Sequence, residues 1–154
     1  MNIFDIMGPV MVGPSSSHTA GAVKIGYISR KLLGEQPVSA KLNLYGSFLT
    51  TGKGHGTRKA LVAGLLGMKT DDIRIPDAID IAKEQGMKLE WGEAILKDAH
   101  PNTAQLYLTG ASGRTLEVIG QSLGGSRINI AEIDGIDTNF SGDYPTLVVH
   151  NQDQ

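Results

Sequence analysis

Residues 38–46 read Val-Ser-Ala-Lys-Leu-Asn-Leu-Tyr-Gly, and this alternation of apolar and polar side chains decides the fold class. Successive side chains of a strand point to opposite faces of a sheet. The apolar members, with Ala40 and Leu42 at the centre, therefore predict a strand that buries one face. The strand is expected to end near Tyr45-Gly46.

Helical spacing occurs on both sides of this strand. Before it, apolar residues recur at nearly every third or fourth position, and Gly34 supplies a stop signal. After it, the glycine-rich stretch 46–57 is predicted to be a loop. A later helix is opened by Ile75-Pro76-Asp77, since proline suits the first helical turn. The three predicted helices run over residues 19–33, 57–66 and 78–82.

The second half of the chain is rich in predicted strands. They lie near residues 89–96, 104–109, 115–121, 127–133 and 145–150, separated by turns that contain glycine or asparagine. Helices early and strands late predict an α+β fold, in which helices pack on one face of a mixed or antiparallel sheet.

Composition excludes several classes of function. The chain has 154 residues and a formal net charge of -2, which gives no electrostatic argument for nucleic acid or an anionic membrane. No apolar run approaches the roughly 20 residues that span a bilayer. The first residues lack the positive region of a signal peptide, so a cytoplasmic protein is expected. Because there is no cysteine, the chain itself offers neither disulfides nor thiolate metal ligands.

Residues 15–19, Ser-Ser-Ser-His-Thr, stand where the first predicted helix begins. Unpaired backbone N–H groups at a helix N-terminus, with nearby hydroxyl groups, form a natural site for a carboxylate or phosphate. Serine and threonine also cap helices, and a single serine is explained by capping. Three serines and a histidine exceed what a cap needs, so a cap and a ligand site are equal alternatives here.

Residues 50–57, Thr-Thr-Gly-Lys-Gly-His-Gly-Thr, form a second polar stretch. Glycines at alternate positions let the backbone approach a ligand closely, and a histidine such as His55 can take a proton near neutral pH. The spacing differs from that of a P-loop. From the residues alone, a flexible turn with a solvated histidine is the favoured interpretation.

Two further turns contain polar residues. His100-Pro101-Asn102-Thr103 precedes a predicted strand, and turn chemistry alone explains its Pro-Asn pair. Residues 122–126, Ser-Leu-Gly-Gly-Ser, are predicted to be a hairpin turn, with a ligand-facing turn as the minority alternative.

The combination of these stretches is more specific than any one of them. Gly-Pro-Ser-Ser-Ser-His-Thr at residues 13–19, Gly-Ser-Phe at 46–48 and Thr-Gly-Lys-Gly-His-Gly-Thr at 51–57 together resemble the β chain of bacterial iron–sulfur L-serine dehydratases. The turns at 100–103 and 122–126 fit the same family. The resemblance extends from Phe4 to about Tyr144.

The resemblance implies a two-part enzyme. A partner α chain holds a [4Fe–4S] cluster through its cysteines, and one iron of that cluster acts as a Lewis acid on L-serine. The products are pyruvate and ammonia, and no pyridoxal phosphate is used. The family fold is similar to the allosteric substrate-binding domain of some phosphoglycerate dehydrogenases. A non-catalytic, serine-binding regulatory or assembly domain is therefore the alternative to a catalytic subunit, which would be inactive without the α chain.

The resemblance also suggests roles for individual residues. His55 is the candidate base or proton relay, and His18 is the second catalytic candidate, as an orienting group or base. The remaining candidates bind substrate, and they are Ser15, Ser16, Ser17, Thr19, Ser47, Lys53, Gly54 and Asn102.

The expected organisation is a serine dehydratase β domain over residues 1–143, followed by residues 144–154 as the start of a truncated, ACT-like C-terminal domain or a tail. A homodimer or an α/β hetero-oligomer is expected. The apolar strand at 147–149 would leave an unpaired edge that a second copy could cover.

Overall fold

A six-stranded mixed sheet with helices packed on one of its faces forms the core of the molecule, so the predicted α+β class is confirmed. The computed structural model describes residues 16–52, 56–96, 99–124 and 127–141. For residues 16–18 and 50–52 it describes the backbone alone.

The elements follow the order helix, strand, helices, strands. The helices are α1 (Ser16–Leu33), α2 (Ser47–Gly52), α3 (Gly56–Leu65) and α4 (Ala78–Glu84), with a 3₁₀ turn at Ile75–Asp77 before α4. The strands are β1 (Pro37–Gly46), β2 (Lys88–Glu93), β3 (Asn102–Gly110), β4 (Thr115–Gly124), β5 (Arg127–Ile133) and β6 (Ile136–Phe140). Their order in the sheet is β2-β1-β3-β4-β5-β6. Only β1 and β2 are parallel among these neighbours.

Strand register sorts the side chains onto two unlike faces. Leu42 pairs with Leu106, which pairs with Val118, and all three are buried beneath the helices. On the opposite face, Gln105 Nε2 donates to Glu117 Oε2 at 3.2 Å, beside Asn43 on β1. The two-residue period of a strand therefore gives an apolar face and an amide-rich face.

Helices α1 and α3 pack together at two glycines. A side chain on Gly64 would collide with the Val23 carbonyl oxygen and lie 2.5 Å from the Tyr27 nitrogen. Gly67, just past the end of α3, lies against the Arg30 side chain in the last turn of α1. The C-terminal ends of the two helices therefore lie together, and both helices run in the same direction.

Helix α1 runs antiparallel to β4. Near its start, Gly21 lies against Ser122, while just beyond its end Gly34 lies against Arg114. Glu35 accepts a hydrogen bond from the Ser112 hydroxyl at that second end, which lowers the pKa of the Glu35 carboxyl. The turn after β3 and the start of α1 thus mark opposite ends of the sheet.

One expectation from the sequence was wrong, and one strand was missed. Residues 47–52 form α2 rather than a loop, because the Phe48 side chain is fully buried in the core and fixes this turn. Strand β6 was not predicted, although Asp134-Gly135 has positive φ at both residues and forms the turn before it. The strand predicted at 145–150 lies outside the described residues.

None of the helices that the structure describes combines the length and apolar character needed to cross a bilayer.

Candidate functional site

The start of helix α1 lies at the end of the sheet where β4 finishes. A side chain on Gly21 would collide with Ser122 Oγ, so the second turn of α1 rests directly on that residue. The first turn of α1 contains Ser16, Ser17 and His18, and the half-buried Thr19 follows. The first N–H groups of the helix, which have no partner within it, therefore lie at this end of the sheet.

At the same end of the sheet, the last residue of β1 and the first residue of β3 form a tight corner. Gly46 pairs with Asn102 and has φ of 64°, a conformation that favours glycine. A side chain here would collide with the Pro101 carbonyl oxygen, which accepts a hydrogen bond from the Ser47 N–H at 2.6 Å. This corner brings Ser47 and the 100–103 turn together.

The ring of His100 is held by its own turn. Its Nδ1 accepts a hydrogen bond from the Asn102 N–H at 3.0 Å, and its carbonyl accepts one from Thr103 Oγ1 at 2.5 Å. An accepting Nδ1 carries no proton, so the neutral ring carries its proton on Nε2. The turn chemistry expected from the sequence is present, and it also fixes the tautomer of the half-buried histidine.

Two buried polar atoms lie beneath the helices here. Asn102 Oδ1 and Ser122 Oγ have no hydrogen-bond partner among the described residues. Thr103 pairs with Gln121 across β3 and β4, so Asn102 and Ser122 follow as the next opposed positions. They share the helix-covered face with Ala104 and its partner, because side chains alternate along a strand.

A pocket of about 390 Å³ opens beside the corner. Leu49 of α2 contributes to it, together with the chain beyond β2 and the turn before β3. Its lining residues are Tyr45, Gly46, Leu49, Glu93, Ala94, Ala99 and Pro101. A largely apolar pocket next to a few polar groups is the usual form of a small-molecule site.

Helix α3 begins at the same end as α1. The two helices run in the same direction from their close contact at Gly64, so exposed Gly56 at the start of α3 lies on the side of Ser16. Thr57 follows as a buried residue, 4% exposed.

Four of the predicted site residues lie outside the described residues: Ser15, Lys53, Gly54 and His55. The backbone of Ser16, Ser17 and His18, and the residues Thr19, Ser47 and Asn102, lie at one end of the sheet. Ser122 was predicted to lie in a hairpin turn, but it lies inside β4. The two-residue period of the strand could have predicted this, because Leu116, Val118 and Gly120 lie on the same face and are followed on that face by the polar Ser122.

The described part of the chain contains no group of three His, Cys, Asp or Glu side chains that could hold a metal ion. Arg58 lies in the first turn of α3, and its guanidinium lies 5.0 Å from the centre of the Trp91 ring. Its Nε is buried and has no hydrogen-bond partner among the described residues, and its contact with the Trp91 ring is a cation–π interaction.

Comparison with known proteins assigns the chain to a family. The family model described as serine dehydratase beta chain matches residues 2–100, which include the segments at 13–19 and 46–57. The chain belongs to the serine dehydratase beta chain family. A relative in this family, the probable L-serine dehydratase beta chain of Bacillus subtilis, is 47% identical over 151 residues, which are 97% of this chain and 68% of the relative.

Two other relatives show how far the similarity extends. The L-serine dehydratase beta chain of Peptoniphilus asaccharolyticus is 41% identical over 98% of this chain and 68% of its own length. L-serine dehydratase 2 of Escherichia coli is 39% identical over 87 residues, which are 53% of this chain and 17% of that protein. Serine dehydratase beta chains therefore match this chain along nearly its whole length, whereas the longer enzyme matches about half of it.

Proposed function

We propose that this chain is the β subunit of an L-serine dehydratase, which converts L-serine into pyruvate and ammonia. In this proposal it contributes active-site loops to an α chain and is inactive alone. The observation that carries the proposal is that the N-terminal ends of α1, α2 and α3 and the His100 turn lie at the same end of the sheet, in a chain of this family.

The proposed reaction requires hydrogen-bond donors of the kind that lie at this end of the sheet. The substrate carboxylate needs hydrogen-bond donors, and the backbone N–H groups in the first turn of α1 can supply them. Elimination removes the α-proton of L-serine and releases its β-hydroxyl as water. The resulting enamine rearranges to an imine, which water hydrolyses to pyruvate and ammonia.

A base must take the α-proton, and His55 is our candidate. Support comes from its place one residue before α3, since Gly56 begins that helix at the end of the sheet where α1 begins. His18, in the first turn of α1, is the candidate orienting group or second base. Lys53 and Gly54 are proposed to contact substrate from the same segment.

The residues of this chain do not fit the iron–sulfur cluster that the family resemblance implies. The sequence has no cysteine, and thiolates are the usual ligands of such a cluster. We therefore assign the [4Fe–4S] cluster to the α chain. Pyridoxal phosphate is not part of the proposal.

The proposal is tested by measuring pyruvate formation from L-serine under anaerobic conditions. The samples are this chain, the α chain with its reconstituted cluster, and a mixture of the two. Activity in the mixture alone is the expected result. Full activity of the α chain by itself would reject a catalytic β subunit and favour a serine-binding regulatory or assembly domain. Mass measurement of the same samples would distinguish a homodimer from an α/β hetero-oligomer.

A further inference from the structure

The pocket beside the Gly46 corner has a single charged side chain among its described lining residues. Glu93, the last residue of β2, is exposed and forms neither a hydrogen bond nor a salt bridge with another described residue. The other side chains of the lining are mainly apolar, and they include Leu49, Ala94 and Pro101. A space of about 390 Å³ with apolar walls therefore adjoins a free carboxylate.

The segment after β2 is held in place and exposes an isoleucine. The Ala94 N–H donates to the Leu44 carbonyl oxygen at 2.9 Å, so the chain stays fixed to β1 beyond the end of β2. Ala94 is 5% exposed, whereas the next residue, Ile95, is 95% exposed. A single exposed isoleucine is ordinary, but this one adjoins a pocket and a free carboxylate on an anchored segment. Apolar surface beside polar groups is the usual composition of a protein–protein interface.

L-serine cannot occupy this pocket and the start of α1 at the same time. Neighbouring strands lie about 4.8 Å apart, and three such steps separate β2, which carries Glu93, from β4, on which the second turn of α1 rests. The total is roughly 14 Å, whereas the ammonium and carboxylate groups of L-serine are bonded to the same carbon atom. If the start of α1 receives the substrate carboxylate, as proposed, the Glu93 pocket is left for another partner.

A lysine or arginine side chain has the chemistry that suits this pocket. Its aliphatic stem packs against apolar surface while its charged end reaches a polar group, and a carboxylate forms strong, charge-assisted hydrogen bonds with that end. We propose that the pocket receives a basic side chain of the α chain, whose charged end binds the Glu93 carboxylate while Ile95 packs against the surface around it. This inference rests on the proposed function, which supplies the α chain, and adds a surface at which the two chains meet.

The test measures the dissociation constant between this chain and the α chain with its reconstituted cluster, by surface plasmon resonance under anaerobic conditions. Glu93→Gln keeps the size of the side chain and removes its charge. It is expected to weaken binding roughly tenfold to a hundredfold, the usual effect of losing a hydrogen bond to a charged group. Glu90→Gln is the matched control, because Glu90 is an exposed glutamate of the same strand whose side chain points to the other face of the sheet. It should leave the dissociation constant unchanged.

Two further measurements separate the charge of Glu93 from apolar packing. Ile95→Ala is expected to weaken binding roughly tenfold, whereas Ile73→Ala, which changes a 91% exposed isoleucine in the turn after α3, should have no effect. Salt screens charges, so the difference between wild type and Glu93→Gln should narrow as the salt concentration rises from about 0.05 M to about 0.5 M. The effect of Ile95→Ala should persist at both salt concentrations.

Unchanged binding in Glu93→Gln or Ile95→Ala, or an equal loss in Glu90→Gln, would overturn the inference. Binding of L-serine to the free wild-type chain that is lost in Glu93→Gln would also overturn it, because the pocket would then hold a small ligand. Pyruvate formation by the wild-type mixture keeps the two proposals apart. An active mixture with normal binding of the Glu93 variant rejects the inference alone, and the expected binding losses in a mixture that forms no pyruvate reject the proposed function alone. Absence of binding between the wild-type chains would reject both.

Discussion

His55 is the residue to which the proposed reaction assigns proton transfer, and its substitution is the sharpest test of that role. We expect His55→Ala in the assembled enzyme to lower kcat/KM by roughly a hundredfold to ten-thousandfold, because a general base typically contributes that much. Steady-state kinetics with L-serine measure the effect. Arg114→Ala, in the exposed turn at the other end of the sheet, is the control and should leave kcat/KM unchanged. An unchanged kcat/KM for His55→Ala would mean that another group removes the α-proton.

The Asp72–Arg74 pair makes stability depend on pH. Arg74 donates to Asp72 through Nη2 at 2.7 Å, Nε at 3.0 Å and its backbone N–H at 2.8 Å, and these bonds lower the pKa of the Asp72 carboxyl. A lowered folded-state pKa stabilises the fold above the unfolded-state pKa. That contribution is lost as the pH falls through the folded-state pKa.

Asp72→Asn is therefore expected to lower the free energy of unfolding at pH 7. The difference from wild type should begin to shrink below about pH 4, where the aspartate of the unfolded chain becomes protonated, and it should vanish once the pH lies below the lowered pKa of the folded state. Urea unfolding at pH 7 and pH 3 measures it. Asp71→Asn, at the exposed neighbouring position, should have little effect at either pH. A difference of the same size at both pH values would show that the ion pair is not its cause.

At the level of elements, the contact of α1 with α3 depends on the absence of side chains. Gly64→Ala would force a methyl group against the backbone at Val23 and Tyr27, so the helices would have to separate. Such overpacking is expected to lower the free energy of unfolding by about 1–3 kcal/mol. Gly56→Ala is the matched control in the same helix, because no atom lies within 4 Å of its added carbon. Equal urea midpoints for the Gly64 variant and wild type would show that the contact can expand without cost.

Patterns within one element predicted most of the fold. The alternation in β1 and the helical spacing of α1 and α3 are local signals, and each gave the right element within a few residues. Helix α2 was missed because its stability comes from the buried Phe48, which no local pattern reveals. Strand β6 was missed because it is short and polar, although its Asp-Gly turn was a readable signal.

The candidate site was less predictable than the fold. For the first turn of α1 and for the His100 turn, capping and turn chemistry explained the sequence as well as a ligand site did. Only the distance between the two segments in the folded chain could distinguish these alternatives. Ser122 belongs to the site because of its register with β3, and register cannot be read from one strand alone. The side chains of His18 and His55 are not described, so their assigned roles stay predictions.

At the level of the whole molecule, burial is greatest in the middle of the sheet and declines toward both edges. Leu106 and Val118 in β3 and β4 are fully buried, whereas β2 and β6 are the outer strands of the described part of the sheet and have exposed residues. We expect native-state hydrogen exchange to be slowest for amides of β3 and β4 and faster by several orders of magnitude in β6, because edge strands open locally. Mass spectrometry of exchanged peptides would measure this order. Slower exchange in β6 than in β3 would contradict it.

The turn at Gly110–Arg114 is an attachment point at the end of the sheet opposite the candidate site. Its residues Ala111 to Arg114 are exposed, and it lies at the end of the sheet opposite Asn102 and Ser122. Exposed turns of this kind tolerate inserted sequence. A fluorescent tag or an affinity peptide placed there would leave the other end of the sheet clear, so binding of the proposed α chain could be followed in real time without altering the surface at which we propose it to bind.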